Sequence, residues 1–134
     1  MRAPLEMTVR IARLGTARTR GEGVRIGTVR RPPRGVRKSE YASRNYYDVW
    51  FPTLAPSPAT VKMALAARTP AQLARFRKRY LAEMKKPAAR QAIEMLAKLS
   101  HDANFSVGCY CEDESRCHRS LLRQLLIENG AKVE

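Results

Sequence analysis

The feature that most constrains this chain is an apolar run that breaks into a polar loop and then into a leucine stripe. Residues 104–111, NFSVGCYC, read as a largely buried strand. From about Arg116 to Glu128, Leu121, Leu122, Leu125 and Leu126 recur at helical spacing, which predicts a helix with that stripe turned inward. Asn129 and Gly130 supply a C-terminal cap. A strand, a short loop and a packed helix make up a βα unit, and such a unit commits the chain to an α/β layered fold.

The rest of the chain agrees with that fold. Val9 and Ile11 alternate with arginines in residues 7–13, a strand period, and residues 24–29, VRIGTV, predict a second strand. RRPPRG at 30–35 must be irregular, because its prolines remove backbone donors. Residues 36–45 are polar and predict a loop, and YYDVWFP at 46–52 predicts a third strand ended by Pro52. Helices follow. Ser57–Pro58 and Thr69–Pro70 are N-cap and first-turn pairs. Leu73, Phe76, Tyr80 and Met84 then share one helical face, as do Ala92, Ile93, Leu96 and Leu99 further on. AKVE at the end suits a short last strand. The expected architecture is one small Rossmann-like α/β domain over residues 1–134, with a mostly parallel sheet flanked by helices. Residues 1–23 form its basic N-terminal strand and loop.

The chain's 134 residues suit a single domain. No run of 18 apolar residues is present, so no membrane-spanning helix is expected. The first residues lack a signal peptide's apolar core, and the expected location is the cytoplasm. The formal net charge is +14, and residues 1–44 hold most of it, with 12 basic against 3 acidic side chains. Such a surplus attracts polyanions, so nucleic acid or a phosphorylated small ligand is the expected partner. It equally suits a plain solubilising surface. A homodimer is a further expectation for a domain of this size. No cofactor is legible.

All three cysteines lie within CYCEDESRCHRS at 109–120, where strand passes to helix. Ligands of parallel α/β sheets bind at the carboxyl ends of strands, and a helix start offers free N–H groups. Cys111 is expected to end the strand, on one face with Cys109. Glu112 to Arg116 should form the loop, Asp113 or Ser115 should cap the helix, and Cys117, His118 and Arg119 should fill its first turn. Three chemistries compete here. Cys117 or Cys111 could be a reactive thiol, its pKa lowered by Arg116, Arg119, His118 and the helix start. Cys109, Cys111, Cys117 and His118 could hold a tetrahedral metal ion, although C-x-C-x5-C-H is not a standard finger spacing. The cysteines could also simply pack in the core. A phosphatase loop is excluded, because a cysteine at 117 stands where Cys111 would require an arginine.

RIGTVRRPPRGVRK, LAPSP, the Phe76, Tyr80, Glu83 spacing and the CE…CHR…L segment together resemble domain-of-unknown-function family 488 over residues 24–130. The resemblance implies a Rossmann-like fold and no settled activity. It points to Cys111, Glu112, Cys117, His118 and Arg119 as catalytic candidates, with Arg34 and Ser57 as second-rank ligand-binding candidates beside Arg116. One departure stands out. The family commonly has a tryptophan before its Pro-Arg-Gly turn, where this chain reads Arg31-Pro32-Pro33-Arg34-Gly35. Trp50 is a candidate to take its place in space. Two functions follow as expectations: a protein that acts on or senses a nucleotide or nucleic-acid-related ligand through residues 109–119, or a non-catalytic nucleic-acid-binding module.

Overall fold

Alternating side chains divide the sheet into an apolar face and a polar face, and that division organises the molecule. The structure is a computed structural model that describes residues 7–134; residues 1–6 of the basic N-terminal segment lie outside the described residues. Four strands, β1 (Val9–Arg13), β2 (Val24–Gly27), β3 (Val49–Trp50) and β4 (Phe105–Cys109), form one parallel sheet in the order β1-β4-β2-β3. Between β3 and β4 run the helices α1 (Pro58–Ala66), α2 (Pro70–Glu83) and α3 (Pro87–Leu99), and α4 (His118–Glu128) follows β4. The expected α/β class is therefore observed. Val133 adds a single parallel bridge to Val9, which is all that forms of the expected last strand.

The helix starts follow the sequence. Proline occupies the first turn of α1, α2 and α3, where the missing N–H costs no hydrogen bond. Ser57 accepts from Thr60 N at 3.3 Å, and Thr69 and Gln72 form a reciprocal capping box. Val9, Phe105 and Val107 from the sheet join Phe76, Tyr80, Ile93, Leu96, Leu122 and Leu126 in one core cluster, with Ile11 and Ile26 packed against it.

The opposite face carries Arg25, Gly27, Ser106 and Gly108, paired across β2 and β4. No α-helix connects β1 to β2 or β2 to β3, and the loops at 14–23 and 28–48, the second with one 3-10 turn at Lys38–Glu40, make those crossings. Arg25 anchors them. Its guanidinium, 1% exposed, donates to Glu22 through two bonds of 2.8 and 3.0 Å, and to the carbonyls of Thr16 and Asn45 at 2.9 and 2.8 Å. Ser106 Oγ donates to Glu22 Oε2 at 2.9 Å. A buried pair with this many hydrogen bonds is stable only as a complete network.

Several boundaries differ from the sequence reading. The third strand keeps only Val49–Trp50, because Pro52–Leu54 turn as a 3-10 helix. β4 stops at Cys109, two residues short of the expected end. Leu99, placed on the buried stripe of α3 by periodicity, is exposed at the last residue of the helix. Leu125 is only partly buried at the margin of that core.

Burial acts against Glu22 ionisation, but the hydrogen bonds from Arg25 and Ser106 and the charge of Arg25 outweigh it and hold its carboxyl down at about 2. The folded value lies below the unfolded one, so this contribution to stability is present above about pH 4.5 and is lost as pH falls toward 2. Glu22→Gln should destabilise the fold by on the order of 3 kcal/mol. It should also flatten the acid limb of a denaturation-against-pH curve, measured by circular dichroism.

Candidate functional site

The chain leaves the sheet at Cys109 and re-enters regular structure at His118, and the intervening loop is tightly held. Tyr110 Oη donates to the carbonyl of Arg31 at 2.9 Å. Glu114–Arg116 form a 3-10 turn whose start is capped by Asp113, which accepts from Ser115 N at 3.0 Å. Asp113 therefore caps this turn and not α4, and Ser115 caps neither. The N-cap of α4 is Cys117, which makes no side-chain cap bond. The helix begins two residues later than expected because Cys117 is extended, with φ −113° and ψ 156°.

Arginines fasten the loop to the helices. Arg123 pairs with Glu114 through two bonds of 2.8 Å, and Arg77 donates to the carbonyl of Ser115 at 3.0 Å. Arg116 donates to the carbonyl of Ala67 at 3.1 Å, at the end of α1. Arg119 is buried and donates to the carbonyl of Cys111 at 2.5 Å, while its Nε has no partner. Arg119 thus bonds to its own loop and makes no bond to Arg34 or Ser57 among the described residues. The helix start turns it back beneath its own loop.

The cysteines do not act as one group. The sulfurs of Cys109 and Cys117 touch, and their Cα atoms are 7.8 Å apart. Both are buried with Leu14, Val29 and Tyr47. His118 is buried beside them, with Cys117 Sγ 3.5 Å from its Nδ1 and the edge of Tyr80 against its ring at a centroid distance of 5.3 Å. Cys111 lies beyond the strand end and is exposed, so it does not share a strand face with Cys109. The expected lowering of a thiol pKa is not found there. Although Cys111 is exposed by surface area, partial desolvation by the atoms around its sulfur pushes the thiol up, and the opposing charges of Arg119 and Arg13 do not compensate. Cys117 is enclosed against Cys109 and is not an open thiol.

The remaining candidates separate. Glu112 is exposed and lies 3.5 Å from Arg13. Arg34 is exposed and has no hydrogen bond or ion pair among the described residues. Ser57 is occupied structurally. It caps α1 and donates from Oγ and N to Glu83, at 2.6 and 2.9 Å, and Thr60 Oγ1 adds a third bond of 2.8 Å. Two contributors were not assigned to the site from the sequence. Thr28 accepts from His118 Nε2 through its carbonyl at 2.7 Å, and Tyr80 walls the same ring. The only signal for Thr28 was its place just after β2, at the carboxyl edge of the sheet.

Beside the cysteine cluster lies a cleft of about 310 Å³, lined by Pro32, Lys38, Tyr41, Tyr47, Asp48 and Trp50 among others. Trp50 Nε1 donates to the carbonyl of Val29 at 2.8 Å. The indole therefore stands beside the proline turn that lacks the family's usual tryptophan. Tyr47 is 3% exposed, and its hydroxyl has no partner. Its ring fits because Gly27 beneath it has no Cβ. Burial pushes the Tyr47 hydroxyl up to about 12.

The sequence matches the family described as "Active DUF488-N3 subclade" over residues 9–130. The chain belongs to the DUF488 family. The match begins upstream of residue 24 and takes in β1. No curated protein and no solved structure matches significantly. Within this DUF488 domain, the burial of Arg119 under the loop implies a positional role. Arg119→Met should cost about 1.5–3 kcal/mol of stability. It should also speed amide hydrogen exchange in residues 110–116 while sparing β1.

Proposed function

We propose that this DUF488 protein acts on or senses a nucleotide or nucleic-acid-related ligand at the carboxyl edge of its sheet. The observation that carries the reading is the position of Tyr47, which belongs both to the aromatic cleft and to the cluster around Cys109 and Cys117. A planar base seated against Trp50 and Tyr41 would lie next to the 109–119 segment. Its face would gain stacking energy, with the buried Tyr47 ring as the floor between cleft and cysteine cluster. Lys38 lines the cleft, and Arg31, Arg34, Arg37 and Arg44 are exposed in the same loop region, suited to phosphate. The carboxylate of Asp48 in the cleft is already bonded by Arg18 at 2.8 Å and by Arg25 N at 2.8 Å, which offsets its repulsion of an anion. In this reading Cys111 and Glu112 lie on the loop facing the bound ligand, Arg119 holds that loop from beneath, and Cys117 and His118 support the wall behind it.

The alternative function is a non-catalytic nucleic-acid-binding module, favoured by the same exposed basic loop. Trp50 is the chain's only tryptophan, so its fluorescence reports the cleft directly. Titration with mononucleotides and short single strands at low salt should quench it, and Tyr41→Ala should weaken binding by about 1–3 kcal/mol. Affinity should fall steeply with added salt. No quenching by any of these at low salt would remove both readings. Binding that survives alanine at Cys111 and at Arg119 unchanged would favour the module.

A further inference from the structure

Three metal-ligating side chains converge where β4 ends and α4 begins. Cys109, Cys117 and His118 are all buried, and their two sulfurs and a ring nitrogen lie within 4.8 Å of one another. The histidine is prepared for the task. Its Nε2 lies 2.7 Å from the carbonyl oxygen of Thr28. A carbonyl only accepts, so Nε2 carries the proton and Nδ1 presents its lone pair toward Cys117 Sγ, 3.5 Å away. Ligating histidines are commonly fixed in this way, with the far N–H held by a backbone carbonyl. Thr28 is itself held, since its N and Oγ1 each lie 3.0 Å from the carbonyl of Gly108. The supporting bond therefore returns to the strand that carries Cys109.

The backbone spacing of the two cysteines suits shared ligation. Their Cα atoms are 7.8 Å apart, beyond the roughly 4.4–6.8 Å that disulfides usually span. Two thiolates on one tetrahedral zinc ion stand roughly 3.8 Å apart, given Zn–S bonds of about 2.3 Å. The sulfurs, in contact here, must separate to admit an ion between them. Two thiols with one imidazole form a soft donor set that selects zinc over magnesium or calcium.

We propose that Cys109, Cys117 and His118 bind one zinc ion through two sulfurs and Nδ1. The exposed Cys111 is not a ligand, which amends the four-residue set suggested by the spacing alone. Binding forms two Zn–S bonds and one Zn–N bond, and the two thiol protons pass to water with no change of oxidation state. Three protein ligands leave one coordination position for a water molecule or another small donor, as in catalytic zinc sites. The site stands independently of the nucleotide reading.

The test is metal content and spectroscopy on the full chain, purified under reducing conditions. Zinc loading followed by desalting should leave about one zinc ion per chain by plasma mass spectrometry. Cobalt loading should give the visible bands of a tetrahedral thiolate site. Cys111→Ser should keep both signals, whereas Cys117→Ser and His118→Gln should lose at least tenfold in affinity. Should these two variants fail to fold, the wild-type cobalt spectrum and the Cys111→Ser protein still decide the matter. The proposal is overturned if the reduced wild-type chain retains no zinc and shows no cobalt bands. It is equally overturned if Cys111→Ser abolishes binding, or if the purified chain without reductant shows a single titratable thiol after denaturation and still no metal after reduction.

Discussion

The buried bond between Arg25 and Glu22 is the constraint on which the rest of the structure depends. A parallel sheet needs both faces covered, and here the helices all contribute to one core cluster. The other face is roofed by two long loops, and loops bury little apolar surface of their own. Arg25 answers this by projecting from β2 into the loops and binding carbonyls from two of their segments. Glu22 neutralises it, and Ser106 on β4 completes the carboxylate's bonding. Asp48 continues the network by accepting from Arg25 N and from Arg18, so the loop entering β3 is tied to the same anchor.

That roof places the site. With the loop at 41–48 pinned, Tyr47 lies flat over Gly27 and closes the small second cluster around Cys109 and Cys117. Tyr41 packs edge-on against it with centroids 5.2 Å apart. From the helix side, Tyr80 reaches the His118 ring and also donates to the carbonyl of Leu54 at 2.7 Å. The junction of β4 and α4 is thus gripped from both faces of the sheet. Buried groups gripped in this way keep one geometry, which a ligand site requires.

The segment CYCEDESRCHRS shows how local chemistry and tertiary packing divide the work. Its location between a buried strand and a leucine-striped helix was legible, because strand and helix periods are properties of neighbouring residues. The grouping of its cysteines was not. Spacing alone made Cys109 and Cys111 look like partners on one strand face, but the strand ends at Cys109 and hands its sulfur to Cys117 instead. The same limit applies to Ser57. Its N-cap role was readable from Ser-Pro, whereas its bonds to Glu83 depend on how α1 lies against α2.

The sequence by itself determined the α/β class, the helix starts at Ser57 and Thr69, the inward leucine stripe of α4, and the segment where chemistry is concentrated. Each follows from backbone and side-chain preferences acting over a few residues. Only the tertiary structure decided that Arg25 is core and not surface, that Cys111 stands apart from the other cysteines, and that the carbonyl of Thr28 sets the proton of His118. Those outcomes join residues up to 90 positions apart. Strand order and loop packing bring such residues together, and no local pattern encodes a pairing made across the sheet.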